Sequence, residues 1–165
     1  MILRAITTAA VISNTNTATP VIPQFQIDAT AATVGRSIRM VMAGYYSTGL
    51  SLLPTLTMDL MGGPAGTTLL GQCTSQALIA SANNEGFWAT LLATIVATGA
   101  NGQVRVAGKL DYSTGLGGSA RAHLVTTAPV TVDLSANNLW MPRLKISTAS
   151  ASNVVTVTNA EAWID

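Results

Sequence analysis

From Gln103 to Tyr112 the chain reads QVRVAGKLDY, and polarity changes at almost every step. Val104, Val106, Gly108, Leu110 and Tyr112 alternate with Gln103, Arg105, Ala107, Lys109 and Asp111. Successive side chains leave a β-strand on opposite faces, whereas a helix would spread both sets around its axis. The stretch therefore predicts a strand with one buried and one wet face. RSIRMVMAGYY repeats the pattern, with Ile38, Met40 and Met42 opposite Arg39, and so does TLTMDLM, with Leu56, Met58 and Leu60 opposite Thr57 and Asp59. In LWMPRLKIS, Trp140, Leu144 and Ile146 oppose Met141, Arg143 and Lys145, and Pro142 falls on the apolar phase. Proline cannot donate to a ladder, so this strand is expected at an edge or interrupted by a bulge. FWATLLATIVA, Phe87 to Ala97, is apolar on both phases. That suits a strand covered on two sides or a short buried helix; Thr90, Thr94, Ile95 and Val96 favour a central strand.

Turn clusters separate these runs: MGGPAG, SANNEG, TGANG, STGLGGSA and SANN. Strands at such spacing, with almost no helical periodicity, predict an all-β fold, an antiparallel sandwich or barrel, and a count of about eight favours an antiparallel β-sandwich or jelly roll. The expected strands are 36–46, 54–61, 67–72, 87–97, 103–112, 121–133 (with a break), 139–147 and 153–164. In the last, Val155 and Val157 share a phase, Trp163 caps the end, and a phase change near Asn159 suggests a bulge. Residues 1–35, rich in Thr, Ala and Asn and holding Pro20 and Pro23, read as an extended N-terminal arm or edge strand beside a 36–165 domain.

At 165 residues the chain can bury a core without staples. Only 9% of its residues are charged, against about 25% in an ordinary soluble domain. Much of the exterior must therefore be Thr, Ser, Asn, Gly and Ala, a surface that packs on other subunits without desolvating many charges. The net charge of +1 offers no footprint for nucleic acid or an anionic membrane. The apolar run at 87–97 is too short for a membrane helix, and Thr7 and Thr8 interrupt the start as a signal sequence. The lone Cys73 and the lack of a glycosylation sequon predict folding in a reducing compartment.

Residues with chemistry are sparse. His123 is the only histidine, so no His-rich metal site can form, and there is no Gly-x-Ser-x-Gly elbow; Ser119 merely precedes His123 by four residues. Cys73 has no readable base or cation beside it and reads as a small buried hydrophobe. The carboxylates Asp28, Asp59, Glu85, Asp111, Asp133, Glu161 and Asp165 come singly, without calcium-loop spacing, and read as solvated strand-face acids. The Gly-rich stretches lack the strand-to-helix context of a phosphate loop. No catalytic, cofactor or metal residue is assigned, and no enzyme is expected. A stacking platform would have to use Trp88, Trp140, Trp163, Tyr45 or Tyr46, with core packing an equal account of Trp88 and Trp140.

From about Leu56 onward, LTMDLMGG, GFWATLLATIVATGANGQVRVAGKL and PVTVDLSANNLWMPRLKISTASASNVVTVTNAEAWI resemble a group of small virion proteins of tailed bacteriophages. The resemblance implies a jelly roll serving as a head decoration (cement) protein or as part of a tail fibre. The expectation that follows is a homotrimer made in the host cytoplasm, bound to the major capsid protein on the outer capsid surface, with an N-terminal arm reaching over a neighbour. The rival is a receptor- or carbohydrate-binding module, which predicts exposed aromatics beside the Gly-rich loops.

Overall fold

A computed structural model describes residues 2–6, 8–50 and 53–165. The described residues form thirteen strands and no helix, paired antiparallel throughout, in sheets of eight and five strands. The larger sheet has the long strands β5 (Ser37–Ser47), β8 (Glu85–Ala97), β9 (Gln103–Gly115), β10 (Gly118–Val125) and β13 (Val154–Ile164), in the order β13-β5-β8-β9-β10. The smaller has β6 (Leu56–Gly62), β7 (Thr68–Thr74) and β12 (Asn138–Ile146), in the order β12-β6-β7. These are the eight expected strands. The 121–133 stretch is indeed broken: β10 stops at Val125, and β11 (Val130–Thr131) resumes pairing with β9. The first long strand pairs with the last and the second with the penultimate, the two wraps around which a jelly roll closes.

Period-two patterning decides which face turns inward. Ile38, Met40 and Met42 meet Ala89, Leu91, Ala93 and Ile95 and the Val104, Val106 and Leu110 side of β9 in one layer, and Leu56, Met58, Leu60, Trp140, Leu144 and Ile146 close it from the other; all are fully buried. The N-terminal segment supplies four short strands. β1 (Ile2–Ala5) and β2 (Ala10–Ser13) line the outer edge of β13 one after the other. β3 (Thr19–Pro20) and β4 (Phe25–Ile27) do the same for β12. This segment, read as an arm or edge strand, pairs with its own chain's two open edges, where unpaired N–H and C=O groups would otherwise face solvent.

That arrangement changes the account of Pro142. β12 is an interior strand, flanked by β6 on one side and by β3 and β4 on the other. The Pro142 carbonyl accepts from the Val21 amide at 3.2 Å, so the nitrogen that lacks a proton faces the same side. There the partner strand is itself interrupted, between Pro20 of β3 and Phe25 of β4. The proline is tolerated because no ladder acceptor is waiting for it. The expected bulge in β13 is present, as a register shift between Val157 and Asn159. Across from it, a Cβ on Gly44 would lie 2.0 Å from the Thr156 carbonyl oxygen, so glycine is required for the close approach.

One expectation fails. Thr57 and Asp59 were assigned to a wet face, yet both are buried, Asp59 to 4% exposure. Arg143, directly across on β12, lays its guanidinium over Asp59 in a bidentate pair, Nε to Oδ1 at 2.7 Å and Nη2 to Oδ2 at 2.8 Å. Beside it the Thr57 and Thr74 hydroxyls bond at 3.0 Å. The pair holds the Arg143 guanidinium firmly protonated, its pKa raised chiefly by the Asp59 hydrogen bond. Removing one partner of such a pair strands the other charge in a poorly solvated place. Asp59→Asn is expected to lower unfolding free energy by about 2 kcal/mol, less than for a fully buried pair because Arg143 keeps some water contact. Urea denaturation checks this, and Asp59→Leu with Arg143→Met should recover most of the loss.

Candidate functional site

In a two-layer sandwich each sheet has one face toward the partner and one toward solvent. The outer face of the larger sheet is where the structure departs most from expectation. β8 is central, but it is not covered on both sides: Trp88 is 47% exposed and Val96 39%, while Phe87, Ala89, Leu91, Ala93 and Ile95 face inward. The signal lies in the sequence, because Trp88 shares its phase with Thr90 and Thr94, the polar phase of the strand.

Register places the side chains of this face in rows. One row runs Asn159 (β13), Ala43 (β5), Trp88 (β8), Asp111 (β9) and Arg121 (β10). The next runs Glu161, Val41, Thr90, Lys109 and His123. A third runs Trp163, Arg39, Leu92, Ala107 and Val125. Trp163, at the end of β13 as expected, reaches this face because the bulge shifts the phase of β13 after Val157. The Arg39 guanidinium stands 5.8 Å from the centre of the Trp163 ring and 4.0 Å from the Asp165 carboxylate.

Trp88 divides two depressions. On its β9 and β10 side lies an open cleft of about 360 Å³ lined by Gly86, Trp88, Asp111, Ser113, Gly118 and Ser119. Gly86 has open space where a side chain would stand, and Tyr45, 36% exposed, is its neighbour on β5. On the β5 and β13 side lies a smaller slot of about 190 Å³, between Trp88 and Trp163, with Val41, Asn159 and Glu161. A single indole therefore walls both.

Beside Trp88 the polar groups are preorganised. The Asp111 carboxylate accepts from Arg121 Nε and from Lys109 Nζ, the latter at 3.0 Å. The Arg121 hydrogen bond is the main reason its carboxyl is held below the usual carboxylate range; partial burial opposes this and Lys109 reinforces it. The result is a fixed ionised carboxylate with two cations at a set position next to an aromatic plane.

The other singled-out residues do not assemble into a reaction centre. Ser119 and His123 lie on one strand four residues apart, a span of about 13 Å, too far for a nucleophile and its base. Asp111 and Glu161 share the face but are separated by three strand intervals, about 14 Å, beyond the spacing of a glycosidase pair. No three His, Cys, Asp or Glu side chains converge for a metal among the described residues. Cys73 is buried, and burial pushes its thiol pKa up. Trp140 is wholly inside the core, its Nε1 without a partner among the described residues. Tyr46 is buried too; its hydroxyl donates to the carbonyl of Ser113 at 2.5 Å, bracing the strand end that lines the cleft.

No protein-family model and no curated protein sequence matches the chain. Among solved structures, an alginate lyase from Alteromonas sp. 272 is 9% identical, with 96% of this chain and 88% of the lyase covered, at a TM-score of 0.35. The CBM2 module of the evolved Dit of Lactobacillus casei BL23 phage J-1 is 10% identical, with 86% and 68% covered, at 0.34. A polysaccharide lyase of family 18 is 10% identical, with 97% and 89% covered, at 0.30. Likeness at this level does not extend to activity.

Burial, with the nearby Glu85 charge and then Tyr112 adding, pushes the Tyr46 phenol up to about 12. The fold favours the neutral phenol, so this stabilisation is complete below the unfolded value of about 10 and is lost as pH rises toward 12; two units correspond to roughly 3 kcal/mol. Chemical denaturation at about pH 9 and pH 11 should show about half of that loss, roughly 1.4 kcal/mol, and Tyr46→Phe should flatten it.

Proposed function

We propose that this chain is a glycan-binding β-sandwich module of a phage virion, with the outer face of its larger sheet as the sugar site. The observation that carries the reading is Trp88: a large indole left bare on the central strand, walling two depressions, with a fixed cluster of Asp111 and Arg121 in its own row and Lys109 in the next. A sugar ring has an apolar C–H face and a rim of hydroxyls. It is held by an aromatic surface under the face and by planar or charged side chains at the rim, and here Asp111 and Lys109 stand one strand and Arg121 two strands from the indole. The cleft is open and the slot continues it across the sheet, so a chain of sugars could lie over Trp88 and enter from the side. Assignment to a virion rests on the sequence resemblance.

A second reading, a capsid decoration protein, is favoured by a different surface. Leu50, Leu53 and Leu116 are strongly exposed on the β5–β6 connection and the β9–β10 hairpin. Those two connections lie at one end of the sandwich, where Gly49 accepts from the Ser81 amide and Gly115 approaches Ile79. Leucines at that exposure suit a contact with another subunit. In that reading the chain forms a homotrimer that clamps major capsid protein subunits.

The two separate cleanly. On a glycan array the module should show saturable, sugar-selective binding, and Trp88→Ala should weaken it at least tenfold with melting temperature nearly unchanged, a loss of about 1.4 kcal/mol or more. Absence of any saturable binding would sink the glycan reading. Light scattering should give a trimer for the decoration reading, dissociated by Leu50→Ser with Leu116→Ser; a strict monomer that ignores empty heads would remove it.

A further inference from the structure

Resting on the glycan-binding reading of the same face, we infer that the ligand is an acidic glycan, recognised through a sugar carboxylate placed against Arg121 and Lys109 beside Trp88. Strands β9 and β10 carry three obligate cations, Arg105, Lys109 and Arg121, against one carboxylate, Asp111, and all four belong to the outward phase. His123 stands across from Lys109 on the same face. In a chain with only eight Lys and Arg residues, three on one two-strand ribbon is a concentration of charge. No acidic side chain other than Asp111 occurs on either strand.

Asp111 does not use up this charge. Arg121 spends its Nε on Asp111, and its terminal nitrogens have no partner among the described residues. Lys109 donates one of three protons to Asp111 and keeps two. Asp111 thus acts as a tether that points both cations while leaving donors over. A planar carboxylate fits the remaining guanidinium edge, where two parallel N–H donors meet two oxygens. Arg105, two strand positions beyond Ala107 from Asp111's end, has no ion pair among the described residues and extends the positive field along β9. The opposite side of Trp88 differs in kind: Glu161 and Asn159 line the slot there and would disfavour a second carboxylate. The charge therefore sets an orientation as well as a class, with the acidic sugar over the Arg121 and Lys109 side chains at the margin of the larger cleft, whose own charged lining is Asp111, and a neutral one in the slot.

The test compares uronate-containing and sialylated oligosaccharides with their carboxyl-reduced counterparts, and with sulfated oligosaccharides, by calorimetry on the full chain. The acidic member of a matched pair is expected to bind at least tenfold tighter. That advantage should shrink with added salt and should vanish in Lys109→Gln and Arg121→Gln, exposed positions whose melting temperatures serve as the folding control. Equal binding of acid and reduced sugars, abolished by Trp88→Ala, overturns the acidic ligand and keeps the glycan site. Sulfated sugars binding as tightly as uronates overturns carboxylate recognition. No binding by any sugar overturns the inference and the glycan reading together.

Discussion

Two layers can cover only two of four sheet faces, and the features of this molecule follow from that constraint. The inward faces of β5, β8 and β9 meet those of β6 and β12 in one dry core. The outer face of the larger sheet receives no helix and no third sheet among the described residues. Whatever apolar surface is placed there stays exposed to solvent until something binds it. Trp88, Leu92 and Val96 lie on that face, in the centre of the sheet where the strands on either side hold them rigidly.

Rigidity is supplied at the margins. The N-terminal segment closes the open edges of β13 and β12 with two short strands each, at no cost in foreign contacts. Its break opposite Pro142 lets a proline enter an interior strand. The Asp59 and Arg143 pair performs the analogous task on the smaller sheet's outer face, replacing missing cover with a mutual screen. Tyr46 ties the end of β5 to the end of β9 through the Ser113 carbonyl, so the cleft next to Trp88 has a braced wall. A face built on central strands and braced in this way would present its groups to a ligand with little ordering cost on association.

The face is also electrically uneven. Its β9 and β10 side is positive with one tethering carboxylate, and its β13 side carries Glu161. Trp88 stands between the halves. A ligand that used the indole would have to meet both, and the asymmetry gives it a direction.

Period-two spacing in GQVRVAGKLDY and RSIRMVMAGYY, with Gly and Asn clusters between runs, was enough by itself to determine these strands, their inward faces and the all-β class, because side-chain alternation is a local property of extended backbone; two layers rather than a closed barrel was decided by pairing. It also placed the β13 bulge, from the slip in phase at Asn159. What it could not determine was which sheet each strand joins, since pairing is a long-range matter. That is why β8 appeared covered on both sides, why Asp59 appeared wet before Arg143 was brought across from 84 residues away, and why Pro142 appeared to mark an edge. The candidate site follows the same division: the Trp88 phase was legible in the Thr residues that share it, but Asp111, Arg121, Glu161 and Trp163 become its neighbours only through register, which tertiary structure alone decides.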